Sequence, residues 1–163
     1  MAAAISGAIL LITSAAPASA EPTVTELPLT DGGIQRVLHA SPANPRAALI
    51  MLPGGNGMVE FGPDGGLRRM GGSFLLRMLP LWRAKGFATA VLTPPNGMSL
   101  LGYRHTPVYT TAIGEAVDFV AGRANVPVWL VGTSQGTTAA VGGAARLGGK
   151  IAGIGVISSV TGR

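Results

Sequence analysis

The chain has 163 residues, a net charge of +5 and no cysteine, and only 12% of its residues are charged. This length suits one globular domain, and the absence of cysteine excludes disulfides, thiolate sites and cysteine-based metal sites. The basic residues are scattered and the aromatic residues are few, so we expect no nucleic-acid partner. No group of residues has the spacing of a metal site, and no cofactor is predicted.

The first twenty residues are typical of a secretory signal peptide. They contain no charged side chain and end in Ala18-Ser19-Ala20, which fits a signal-peptidase cleavage site. Their apolar core is too short for a resident membrane helix, and no later stretch is long and apolar enough to be one. We therefore expect residues 1–20 to be a signal peptide and the protein to be exported, either to the periplasm or out of the cell.

The rest of the chain alternates between strand-like and helix-like segments. Two strands, at 23–29 and 34–40, flank the turn Asp31-Gly32-Gly33 and resemble a β-hairpin. Further strands are predicted at 47–52, 87–92, 128–131 and 151–160, and helices at 73–85 (kinked or broken at Pro80), from a cap at Thr110 or Thr111 to about 123, and up to Leu147. This order predicts an α/β fold with a mainly parallel sheet and flanking helices.

The strongest local signal is Gly132-Thr133-Ser134-Gln135-Gly136, which follows an apolar strand and precedes a run of small residues. A G-x-S-x-G turn between a strand and a helix holds its serine in a strained conformation, clear of the sheet. Ser134 is therefore a candidate nucleophile. The N–H of Gln135, at the start of the helix, is a candidate oxyanion donor. The alternative is a plain glycine and serine turn without chemistry.

A second glycine-rich segment, Pro53-Gly54-Gly55-Asn56-Gly57, follows the apolar strand at 47–52. Its spacing does not fit the phosphate-binding or dinucleotide-binding motifs. One interpretation is a mobile surface loop. The other is an oxyanion loop, in which Gly55 or Asn56 supplies the second N–H donor. Both glycine-rich segments follow strands, and ligands bind at the carboxyl ends of strands in such sheets.

Together, these two segments and the two strand–helix steps between them resemble the α/β-hydrolase superfamily. The runs Phe74-Leu75-Leu76-Arg77 and Pro127-Val128-Trp129-Leu130-Val131 are most similar to those of exported bacterial members. The resemblance covers nearly all of residues 21–163, but only the N-terminal part of the family's fold, through its sixth strand. It implies a serine hydrolase that cleaves a small-molecule ester or amide through an acyl-enzyme, with Ser134 as the nucleophile. Gln135 and either Gly55 or Asn56 would form its oxyanion hole.

The sequence departs from the family after the serine. The family's triad continues with an acid and then a histidine, whereas no Asp, Glu or His follows Ser134 here. The two histidines are His39, expected on the surface of the sheet, and His105, which falls in a loop at the active-site end. His105 is either a solvated loop residue or a base, and no matching acid supports the second interpretation. We therefore expect residues 21–163 to be a partial domain, truncated after the sixth strand and nearly inactive alone. The alternatives are a non-catalytic exported binding module with a hydrolase-like cleft, and a structural protein whose turn is coincidental.

Overall fold

A computed structural model describes residues 20–158 of the chain. The predicted signal peptide lies outside the described residues except for Ala20, so it stays a prediction. The strands are β1 (Thr23–Pro28), β2 (Ile34–Ala40), β3 (Ala47–Leu52), β4 (Glu60–Phe61), β5 (Leu67–Arg69), β6 (Phe87–Leu92), β7 (Val128–Thr133) and β8 (Gly153–Ile157). The helices are α1 (Phe74–Arg77), α2 (Leu79–Ala84), α3 (Pro107–Ala124) and α4 (Gly136–Leu147).

Six of these strands form one sheet in the order β1-β2-β6-β3-β7-β8. The β1–β2 hairpin is antiparallel and joins β6 in antiparallel register, whereas β6, β3, β7 and β8 run parallel to one another. The predicted α/β fold with a mainly parallel sheet is confirmed. Strand β3 pairs directly with β7, with Leu52 aligned to Gly132. The loop after β3 and the turn after β7 therefore leave the sheet side by side.

Helices cover both faces of the sheet, so the domain has three layers. On one face α3 and α4 pack against the strands, with Ile113, Val117 and Ala140 in the core. On the other face Leu75, Leu76 and Leu79, from α1 and α2, close a second core. Every residue of β3 is buried, as its continuous apolar run predicts for a strand covered on both sides. No helix between residues 20 and 158 has the length and hydropathy needed to cross a bilayer.

The helix predicted over 73–85 is in fact two short helices, α1 and α2, that meet at Met78. Pro80 lies in the first turn of α2, where a missing N–H costs no hydrogen bond. The break predicted for this helix is therefore confirmed, but it falls two residues before the proline.

Helix α3 begins earlier than predicted. Its N-cap is Thr106, whose hydroxyl oxygen accepts a hydrogen bond from the Tyr109 N–H at 3.2 Å, and Pro107 is the first helical residue. The expectation that Thr110 or Thr111 caps this helix is wrong, since both lie inside it.

The short antiparallel pair β4–β5 has no counterpart among the predicted elements. It inserts a small hairpin between the loop after β3 and helix α1. Strand β8 is described as Gly153–Ile157, which is shorter than the predicted 151–160, and residues 159–160 lie outside the described residues.

Candidate active site

Ser134 occupies the sharp turn between β7 and α4 with a backbone φ of +50°. This left-handed conformation costs a non-glycine residue about 1–2 kcal/mol. Three hydrogen bonds hold it. The hydroxyl and the N–H of Thr137 both donate to the Ser134 carbonyl, at 2.7 and 2.9 Å, and the Ser134 N–H donates to the Ile157 carbonyl at 3.1 Å. Strained turns of this kind persist where the surrounding structure fixes them, and they cluster at functional sites.

The two glycines of the motif have a steric role. A β-carbon at Gly132 would lie 2.5 Å from the Gly136 carbonyl oxygen, and one at Gly136 would lie 1.8 Å from the Leu52 carbonyl oxygen. Both distances are far below a normal contact and both involve backbone atoms, which cannot rotate away. Only glycine therefore lets β3, β7 and α4 come this close together. This close approach explains why the motif has glycine at both positions.

The loop Pro53–Gly57 is in direct contact with the serine. A β-carbon at Gly54 would lie 2.9 Å from Ser134 Cβ and 3.4 Å from its Oγ, so Gly54 lies against the Ser134 side chain. Two hydrogen bonds fix the far end of the loop: the Asn56 side chain accepts from the Met58 N–H at 3.1 Å, and the Asn56 carbonyl accepts from the Leu100 N–H at 2.9 Å. Gly55 has a left-handed φ of +58° and open space around it.

The predicted oxyanion donors are all free. Within residues 20–158, the backbone N–H groups of Gly55, Asn56 and Gln135 have no hydrogen-bond acceptor. The Ser134 hydroxyl likewise has no hydrogen-bond partner among the described side chains. A hydroxyl and three unpaired donors thus lie on two neighbouring loops at the carboxyl edge of the sheet. This arrangement can place an oxygen nucleophile next to donors that stabilise an oxyanion.

Neither histidine forms a hydrogen bond with this serine. His105 is exposed, in the segment before α3. His39 lies on β2, shares a hydrogen bond of 3.0 Å with the Thr25 hydroxyl, and packs edge-on against Phe119 at 5.3 Å. Burial lowers the pKa of His39. Among the described residues, no cluster of three or more histidine, cysteine or acidic side chains is arranged to hold a metal ion.

Arg104 is a residue of this site that no sequence motif predicts. Its side chain is buried, with 4% of its surface exposed. The two N–H groups of one guanidinium nitrogen, Nη2, are shared among three consecutive carbonyl oxygens of the loop: Pro53 at 2.9 Å, Gly54 at 3.1 Å and Gly55 at 3.1 Å. No local pattern signals this contact, because it joins segments about fifty positions apart.

Burial lowers the pKa of the Arg104 guanidinium, and Tyr109 opposes that change. Burial also raises the pKa of Tyr109 to about 12. Arginine stays protonated even in such surroundings, so a positive charge lies beneath the loop.

A cleft of about 500 Å³ opens beside this site, at the carboxyl end of β6. The residues that line it include Met58 and Val59, which directly follow the Pro53–Gly57 loop, and Thr93 and Pro94, which follow β6. Ser134 is not part of its lining. The cleft therefore adjoins the far end of the loop rather than the serine itself.

Solved structures show which known fold this chain shares. No family model and no curated protein matches the sequence. Brefeldin A esterase, a bacterial homologue of human hormone-sensitive lipase, is similar over 91% of this chain and 42% of its own, with 21% identity and a TM-score of 0.58. A carboxyl esterase from Bacillus coagulans is similar over 84% of this chain and 44% of its own, with 18% identity and a TM-score of 0.57.

A third similar structure, the α/β-hydrolase GrgF from Penicillium sp. sh18, covers 85% of this chain and 46% of its own, with 18% identity and a TM-score of 0.60. The chain therefore has the α/β-hydrolase fold. It spans less than half the length of these three structures.

Proposed function

We propose that this chain carries the nucleophile and the oxyanion-binding part of a serine hydrolase that acts on a small-molecule ester or amide. The observation that carries the proposal is the left-handed Ser134, seated against Gly54 and flanked by three unpaired N–H groups. The names of the similar structures, which are esterases and a hydrolase, support the same reaction class.

In this reaction Ser134 Oγ attacks the acyl carbon and the carbonyl oxygen becomes an oxyanion. The N–H of Gln135 and that of Gly55 or Asn56 stabilise this charge, with the start of α4 adding its positive dipole end. The bond from the acyl carbon to the alcohol or amine then breaks, and the leaving group takes up the proton that the Ser134 hydroxyl has lost. Water then cleaves the acyl-enzyme. Removing one oxyanion donor from such a site typically lowers kcat by a factor of about 10²–10³.

The described residues bring no general base to Ser134, so its hydroxyl is barely activated here. In the serine-protease template, the oxyanion hole and substrate binding alone leave about 10³–10⁴-fold acceleration over water. We therefore expect trace hydrolysis of activated esters from the 163-residue chain. The histidine and acid of a full triad remain a prediction about a longer protein, and so does its substrate.

A fluorophosphonate that phosphorylates active-site serines tests the proposal directly. The parent chain and the Ser134→Ala variant are incubated with the reagent for hours, and the modified peptide is located by mass spectrometry. We expect slow labelling at Ser134 and none in the variant. His105→Ala should label at the parent rate, because His105 forms no hydrogen bond with the serine.

A different pattern of labelling would overturn parts of this proposal. Labelling spread evenly over surface serines, or equal in parent and Ser134→Ala, would remove the nucleophile. A ligand bound in the neighbouring cleft without any labelling would favour the binding module. Loss of labelling in His105→Ala would show that this chain has an unconventional base.

A further inference from the structure

The environment of Arg104 is energetically unfavourable for an arginine side chain. It is buried, yet it forms no ion pair with any carboxylate in residues 20–158. Its Nε and Nη1 atoms are buried without any hydrogen-bond partner among the described residues. Burying a cation with unpaired donors is destabilising. The remaining nitrogen, Nη2, makes all the hydrogen bonds of the side chain, and all three go to the loop beside Ser134.

Two of the carbonyls that Nη2 binds belong to the same peptide groups as the candidate oxyanion donors. The Gly54 carbonyl shares its peptide with the Gly55 N–H, and the Gly55 carbonyl shares its peptide with the Asn56 N–H. In a trans peptide the C=O and N–H groups point in opposite directions. Drawing the carbonyls toward Arg104 therefore turns both N–H groups away from it, and neither finds another acceptor among the described residues.

The same contact polarises these peptide groups. A hydrogen bond from a charged guanidinium is stronger than one from a neutral donor. It also makes the N–H at the other end of the peptide a better donor, because hydrogen bonds in a chain reinforce one another. The close packing supports this geometry, since a β-carbon at Gly57 would lie 2.9 Å from Arg104 Nη2. The loop and the guanidinium are therefore in direct contact, and no water molecule fits between them.

We propose that Arg104 is the positioning residue of the oxyanion loop: its Nη2 holds the carbonyls of Pro53, Gly54 and Gly55 and so orients and polarises the N–H groups of Gly55 and Asn56. This inference rests on the proposed serine hydrolase function, because the orientation of these N–H groups serves only such a reaction. The contact between Arg104 and the loop can be tested separately from that reaction. The hydrogen bonds of Arg104 go to the loop and not to Ser134, so the proposed effect is transmitted through the loop.

The experiment compares Arg104→Met, Arg104→Lys and the control Arg83→Met by amide hydrogen exchange. Arg83 is a partly buried arginine whose Nε donates to the Thr89 hydroxyl at 2.9 Å, remote from the loop. The loop is reported by the amides of Gly57 and Leu100, which donate to the Gly54 and Asn56 carbonyls at 3.2 and 2.9 Å. In Arg104→Met we expect their exchange to rise by at least about tenfold, with the amides of β3 and α4 unchanged.

Fluorophosphonate labelling of Ser134 supplies the second readout. Arg104→Met should slow it by about tenfold, less than the loss of a whole oxyanion donor. Arg104→Lys keeps a charged donor without the planar fork and should restore both readouts in part. Arg83→Met should match the parent in both.

These outcomes separate the two proposals. If the parent chain is not labelled at Ser134, the hydrolase proposal fails and the exchange data alone decide the role of Arg104. If Arg104→Met matches Arg83→Met in exchange, the positioning role is refuted.

If Arg104→Met does not fold, the unsubstituted protein still gives an answer through nitrogen-15 NMR of its arginines. Slowly exchanging Nη2 protons with couplings to the three loop carbonyls support the role, and their absence overturns it.

Discussion

A pair of glycines in α4 gives a test of the site's backbone geometry, because alanine should have opposite effects at the two positions. A β-carbon at Gly136 would lie 1.8 Å from the Leu52 carbonyl oxygen and 2.8 Å from its carbon. The helix would have to move from β3 by more than about 1 Å, and closely packed interiors do not yield this much without cost. A β-carbon at Gly142 would meet only the end of the Arg146 side chain, at an ordinary 3.7 Å.

Overpacking in a closely packed core typically costs about 1–3 kcal/mol, and a clash with backbone belongs at or above the upper end. We therefore expect Gly136→Ala to lower the free energy of unfolding by about 3 kcal/mol or more. Gly142→Ala should raise it by about 1 kcal/mol, because alanine favours a helix interior over glycine. A difference of this size is a large part of the 5–15 kcal/mol typical of a whole domain.

The assay is urea unfolding of the parent and both variants, followed by circular dichroism at low protein concentration. Equal slopes against urea would show that the variants differ in stability rather than in the extent of unfolding. The reasoning is refuted if the two alanine variants agree to within about 1 kcal/mol, since β3, β7 and α4 would then not be in the contact described.

Three further predictions concern the turn, a histidine and the amino terminus. Ser134→Gly should raise the Tm by about 2–4 °C, because it relieves the left-handed strain, whereas Ser134→Ala should not; equal Tm values would contradict this. Burial lowers the pKa of His39, so the unfolded chain binds its proton more readily. Stability should therefore be lost as the pH falls below about 6.5, and a pH series of unfolding curves for His39→Gln should lack part of that loss. Export should cleave the chain after Ala20, which N-terminal sequencing of the exported protein checks; a mature protein that begins at Met1 would contradict it.

The parts of the fold that the sequence predicts well are those set by local pattern. The bounds of β2, β3 and β6 agree with the prediction residue for residue, because each is a short apolar or alternating run closed by glycine or proline. The left-handed turn at Ser134 also lies where the motif predicts it, since the two glycines and the serine lie within five positions.

The start of α3 can also be predicted from the sequence. Thr106-Pro107 combines a good N-cap with a proline at the first helical position, and this pair marks a helix start better than the threonines inside the helix. The β4–β5 pair was not open to prediction in this way. Its strands are only two and three residues long, too short for a period to show.

The contacts that complete the site are the ones that local pattern cannot supply. Gly54 packs on Ser134 across two neighbouring strands, and Arg104 reaches the loop from a segment far along the chain. Both depend on the order of strands in the sheet, where β3 lies beside β7. A sequence shows that a loop is rich in glycine, but not which buried side chain binds its carbonyls.

Two energetically costly features of this domain bear on whether the turn at Ser134 is coincidental. Ser134 is held in a left-handed conformation that glycine would adopt without strain, and Arg104 is buried with two of its nitrogens unpaired. Each feature carries a cost, since a glycine at the turn would be free of strain and a buried cation with unpaired donors is destabilising. Both features meet at the two adjacent loops, since Arg104 Nη2 binds the loop Pro53–Gly57 beside Ser134. One feature concerns the hydroxyl of the proposed site, and the other concerns its N–H donors. A turn without chemistry requires neither feature, so their occurrence together supports the proposed serine hydrolase, whose donors must be held fixed before the substrate arrives.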